Sequence, residues 1–152
     1  MANEIKAKFG TPTALTITLA SLASSTAGVG RQSTMVDNSS ARAQRLHILG
    51  KITTGTSPTA NKTIGIYFLR SDATRRTDGA GSSDAGLTVV TADLVYAVVT
   101  SSTSDVAYQF GFTVESPGPE WGIAVVHDTA VNLNSTGGNH AIYYTTENPE
   151  VQ

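Results

Sequence analysis

Over most of this chain, apolar residues recur at every second position. In "DVAYQFGFTV", Val106, Tyr108, Phe110, Phe112 and Val114 alternate with small or polar residues. A period of two puts one set of side chains on a single face of an extended strand. "TALTITL" sets Leu15, Ile17 and Leu19 against Thr16 and Thr18, and "RLHILGKIT" aligns Leu46, Ile48 and Ile52, with Gly50 in register at a possible bulge. "TIGIYFLR" aligns Ile64, Ile66 and Phe68, and "WGIAVVHD" aligns Trp121, Ile123 and Val125. "HAIYYTT" closes the series, and "LTVVTADLVYAVVT" reads as two strands or one long bent one. The pattern predicts seven to nine short strands separated by Gly-, Ser-, Pro-, Asn- and Asp-rich turns. Only "DNSSARAQRL" offers helix material, with Asp37, Asn38, Ser39 and Ser40 able to cap a short turn into Ala41–Leu46.

No strand–helix alternation and no repeat of fixed period appears. The predicted fold is therefore all-β: a single β-sandwich of jelly-roll or Greek-key type. Residues 1–12, "MANEIKAKFGTP", read as an extended N-terminal arm, and residues 13–152 as one sandwich domain. The chain has 152 residues, enough for one domain with a real core.

Composition narrows the function. There is no cysteine, so no disulfide, zinc-thiolate or thiol nucleophile. The net charge is −2 with 14% charged residues, which gives no bulk signal for direct nucleic-acid binding. No apolar run is long enough to span a bilayer as a helix, so no membrane partner is expected. "ALTITLASLASS" reads as strand rather than signal peptide, because Thr16 and Thr18 interrupt it at alternate positions.

Each candidate for chemistry fails on a named requirement. "TAGVGRQST" resembles a phosphate loop, but its first glycine position holds Ser25, its lysine position holds Arg31, and Gln32 follows where Ser or Thr is needed. It reads instead as a glycine hinge at Gly28 and Gly30, with Arg31 projecting. "GSSDA" lacks the last glycine of a nucleophile elbow, and His127 and Asp128 are strand neighbours that point to opposite faces. His47, His127 and His140 have no ligand partners at metal-binding spacing. Asp78 and Asp84 in "TDGAGSSD" echo a calcium loop without its spaced oxygen ligands. Trp121, beside Glu120, is a single aromatic and not a sugar platform. The reading is a protein that is not an enzyme, with no catalytic residue, no metal and no cofactor.

Arg70, Arg75 and Arg76 cluster with Asp72, Asp78 and Asp84 around a long polar loop. Arginine there suits bidentate pairing with carboxylates of a protein neighbour.

Five strings carry a family resemblance across nearly the whole chain: "LASLASSTAGVGRQSTMVDN", "KITTGTSPTANKTI", "WGIAVVHDT", and "STGGNH" with "NPEVQ". They resemble small proteins from the virion-structural region of tailed bacteriophages, similar to capsid decoration, or cement, proteins. The resemblance implies a structural protein on the capsid surface of the virion, made in the host cytoplasm. It also implies the major capsid protein as partner and assembly as a homotrimer. The alternatives are a head–tail or tail component, or a glycan-binding module on the virion surface. The expected partner contacts are Ile5, Lys6 and Phe9 in the arm, and Arg75 and Arg76 in the loop.

Overall fold

The structure is a computed structural model and describes residues 4–151, so residues 1–3 of the expected arm lie outside the described residues. It is a β-sandwich of two antiparallel sheets. The first sheet runs β1 (Ile5–Phe9), β11 (Ala141–Val151), β5 (Arg45–Thr53), β9 (Ala107–Glu115), with β2 (Thr13–Ala14) also on β11. The second runs β7 (Ala85–Thr88), β3 (Val29–Gln32), β10 (Glu120–His127), β6 (Thr63–Ser71), β8 (Asp93–Val99), with β4 (Val36–Asp37) also on β10.

The alternating positions face one another between the sheets. Leu46, Ile48, Ile52, Phe110 and Val114 from one sheet meet Ile64, Ile66, Phe68, Trp121, Ile123 and Val125 from the other in a single buried cluster. Trp121 stacks on Phe68 at 5.8 Å between ring centroids and meets Tyr144 edge-on at 5.0 Å. Gly50 lies under the Phe110 ring, where a Cβ would come within 2.3 Å of it; it is an accommodation for an aromatic neighbour, and no register shift interrupts the β5–β9 ladder.

"LTVVTADLVYAVVT" is two strands, β7 and β8, parted by a turn at 89–92. One other expectation is corrected. Residues 15–19 keep their alternation, with Leu15 and Leu19 buried and Thr16 and Thr18 exposed, but form no strand. The reason is that they cross from one sheet to the other. Leu15 N donates to Ile142 O on the first sheet, and Thr16 O accepts from Thr34 N next to the second. The 37–46 segment is a turn and not a helix: Asn38 O accepts from Arg42 N, Arg42 sits at φ 47°, and β5 begins at Arg45. Among the described residues the only helical turn is the short 3-10 segment Gly137–Asn139.

"TAGVGRQST" contains strand β3, held between β10 and β7. Gly28 does turn the chain, at φ +74°. Gly30 serves close packing instead, since a Cβ there would lie 2.1 Å from the Val125 carbonyl oxygen. Arg31 does not project freely: its Nε donates to Asp84 Oδ1 at 2.5 Å. Gln32 is fully buried and grips the long loop, with Nε2 donating to Gly81 O and Ser83 O and Oε1 accepting from Ala80 N. That loop covers the outer face of the second sheet over a small second core of Met35, Leu69, Leu87 and Ala124.

Candidate functional site

Residues 5–9, within the segment expected as an arm, form the edge strand of the first sheet. All five side chains are exposed, Ile5 at 71% and Phe9 at 60%. β11 pairs with β5 only as far as Glu147, so its last residues have β1 as their one strand neighbour. The two strands form a ribbon that continues past the body of the sheet.

The direction of the backbone groups in this ribbon follows from one bond. Gly10 N donates to Thr146 O, so Thr146 turns its polar groups toward the N-terminal segment. Alternation along an antiparallel ladder then turns Lys6 and Lys8 inward and leaves the N–H and C=O groups of Ile5, Ala7 and Phe9 pointing outward. On the opposite edge of the ribbon the same alternation places Pro149, which has no N–H to offer. One edge is open to pairing and the other is blunted.

The side chains divide similarly. Ile5, Ala7 and Phe9 share the outer face of the sheet with Tyr143 and Leu49. Phe9 packs on His47 at 5.5 Å, and Glu147 accepts from both His47 Nε2, at 2.5 Å, and Arg45 Nη1, at 3.1 Å. The bond from His47 and the charge of Arg45 hold the Glu147 carboxyl below the usual range. Lys6 pairs with Glu4 and Lys8 with Glu150.

The arginine loop emerges at the same end. β9 ends at Glu115 and β10 starts at Glu120, so the 116–119 turn joins the two sheets there. Ser116 N donates to Gln44 O, Ser116 O accepts from Arg70 Nη1 at 2.8 Å, and Gln44 N donates to the Asn148 side chain. Three clefts of about 250, 370 and 420 Å³ follow this path from Ile5 to Arg76; the first and second share Gln44, and the second and third share Gly118 and Pro119. Seven of the ten Lys and Arg residues sit here: Lys6, Lys8, Arg42, Arg45, Arg70, Arg75 and Arg76. The opposite end is Ser-, Thr- and Asn-rich, around Ser21, Thr56, Asn132 and Asn134.

The two loop arginines differ. Arg75 is 87% exposed and clasps Asp72 at 2.8 Å. Arg76 is turned inward toward Glu120, at 3.4 Å. Ser71 pairs with Arg76 across the base of the loop, and Asp72 accepts from the Thr74 and Arg75 amides, which closes the turn. Gln44, Ser116, Glu120 and Asn148 belong to this end as well. Nothing local in their sequence marks them, because they meet only once β9, β10 and β11 are in register.

The remaining candidates are accounted for. The Asp78 carboxylate accepts from Val90, Thr91 and Ala92 amides, and Asp84 from Arg31 and Thr18. Both are loop clamps, and among the described residues no group of three His, Asp or Glu is arranged to hold a metal ion. His127 is buried, with Nε2 against Leu22 O and Nδ1 against Thr129 Oγ1; burial pushes its pKa down. Trp121 is 1% exposed and presents no face to a sugar. Compared with protein-family models, curated proteins and solved structures, the chain matches none.

Proposed function

We propose that this protein is a non-enzymatic structural component of a tailed-bacteriophage virion, and that it binds and stabilises the assembled capsid through the charged end of its sandwich. The observation that carries the reading is convergence. The two segments expected to meet a partner, Ile5–Phe9 and the Arg75–Arg76 loop, leave the sandwich at one end, linked by a continuous run of clefts. The open edge of β1 lets an extended segment of the major capsid protein add a strand, and the exposed Ile5 and Phe9 side chains supply apolar contact. Jelly-roll or Greek-key connections, assembly as a homotrimer, synthesis in the host cytoplasm and residence on the capsid surface belong to the same proposal.

The mechanism is mass action. A ligand that binds the assembled shell and not its free subunits stabilises the shell by about 2.7 kcal/mol per site at 100 times its Kd. A homotrimer bridging several capsid subunits gains further through effective concentration. The test is to strip native particles, re-incubate them with the protein and count copies per shell. Occupancy over the whole shell is expected, and deletion of residues 1–12 is expected to leave a folded protein that no longer binds. A handful of copies per particle would move the protein to the head–tail junction or the tail, and wild-type occupancy by the truncated chain would remove the ribbon from the contact.

A further inference from the structure

The cleft of about 420 Å³ between the 70–77 loop and the 117–119 turn is lined by three arginines, Arg70, Arg75 and Arg76. Every nitrogen of a guanidinium is a donor, and little of that capacity is used here. Arg70 spends Nη1 on Ser116 O, stands 3.6 Å from Asp93, and lies over the Phe68 ring at 5.0 Å. Arg75 spends Nε and Nη2 on Asp72. Arg76 makes one long contact, Nη2 to Glu120 Oε2 at 3.4 Å, and its Nε is buried without a partner. A buried N–H left unpaired is a cost that the folded chain carries.

The neighbouring acids do not complete these arginines. Glu120 Oε2 also takes the Ser71 hydroxyl, and Asp72, with Oδ1 on the Thr74 and Arg75 amides and Oδ2 on Arg75 Nε and Nη2, leaves Arg75 Nη1 open. The facing wall is Pro117, Gly118 and Pro119. Its two prolines offer no N–H, and the Gly118 and Pro119 carbonyls are already engaged by the Asn38 side chain and amide. The cleft is thus donor-rich on one side, rigid on the other, and short of acceptors.

The geometry points to a binding site for a carboxylate, carried on an acidic side chain of the partner polypeptide. A carboxylate accepts bidentately from the Nη1–Nη2 edge of a guanidinium, and Nη1 is the donor that Arg75 and Arg76 both leave open. The inference rests on the partner-binding reading above and names the chemistry that the partner brings to the loop.

The test uses the full chain and three probes at equal ionic strength: the peptide Gly-Asp-Gly-Asp-Gly-Asp, its Asn counterpart, and inorganic phosphate. Arginine Nε–H resonances are followed by NMR. The Asp peptide is expected to give saturable shifts at Arg75 and Arg76, with none from the Asn peptide. Arg75→Gln should weaken binding about tenfold, as expected for loss of a charge-assisted pair. Arg76→Gln should do the same, and if it fails to fold, the exposed Arg75 variant still decides. Lys62→Gln, an equal charge change at the opposite end of the sandwich, just before the start of β6, should leave binding unchanged. An equal loss in Lys62→Gln, shifts from phosphate alone, or no saturation would overturn the inference. Failure here with intact shell binding removes the carboxylate site only; peptide binding without shell occupancy removes the capsid reading only.

Discussion

Asp84 joins three segments that are far apart in the chain. It accepts from Arg31 Nε at 2.5 Å and from Thr18 Oγ1 at 2.6 Å, so the inter-sheet crossing, β3 and the long loop close on one carboxylate. Burial alone would raise its pKa, but these bonds hold it below the usual carboxylate value. A depressed carboxylate stabilises the fold above its unfolded pKa of about 3.9 and loses that contribution as pH falls through the folded value. Asp84→Asn is expected to cost about 1 kcal/mol at neutral pH and to cost nothing once the wild-type carboxyl is protonated. Urea denaturation of both proteins from neutral to strongly acidic pH checks the convergence.

Gln32 secures the same loop from beneath. Its side chain is fully buried and its amide meets three loop backbone groups. Gln32→Ala is expected to cost about 2–3 kcal/mol by leaving those groups unpaired in a buried site. The 79–84 segment should then be cut by protease well before the rest of the chain, which limited proteolysis with mass mapping reads directly.

Gly30 and Gly137 make a matched pair. A Cβ at Gly30 collides with the Val125 carbonyl at 2.1 Å, whereas one at Gly137 meets nothing within 4 Å. Gly30→Ala should destabilise by about 3 kcal/mol, the upper range for overpacking, and Gly137→Ala by less than about 0.5 kcal/mol. Thermal melts of the two variants against wild type provide the comparison.

Trp121 is a core residue, stacked on Phe68 and buried to 1%. Trp121→Ala is expected to cost about 3–5 kcal/mol. Native tryptophan fluorescence should be blue-shifted and resistant to iodide, turning red-shifted and quenchable only on unfolding.

His127 is buried against the Leu22 carbonyl, which can only accept, so Nε2 carries the proton of the neutral ring. Its pKa is lowered by burial. Neutral His127 therefore stabilises the fold above the ordinary histidine pKa of about 6.5, and the contribution is lost as pH falls below it. In NMR, the Nε2–H tautomer should persist as pH falls below about 6.5, and His127→Asn should flatten the fall in stability below that pH.

The sandwich was legible in the sequence because burial has period two wherever one face of a sheet is solvated. Phe110 and Val114 on β9, or Leu46 and Ile48 on β5, declare their face locally. Leu15, Ile17 and Leu19 show the same period without a strand, since alternation reports which side is buried and not whether a ladder partner exists. "TAGVGRQST" was half legible. Gly28 turns as expected, but the roles of Gly30, Arg31 and Gln32 depend on Val125, Asp84 and the 80–83 backbone, all distant in sequence. The charged end was legible as two separate segments. Their meeting depends on the 116–119 turn that carries β9 into β10, which no local pattern encodes.

The pairing of Ile5 with Val151 brings the first and last described strands side by side. A polypeptide entering at Ile5 and one leaving at Val151 would therefore pass the same point, at the same end as the arginine cleft. A short linker from Val151 to Ile5 would join the two strands and permit the chain to be reopened elsewhere, for example at the Ser-, Thr- and Asn-rich end. A fused cargo, by contrast, would stand beside the surface on which we place the partner.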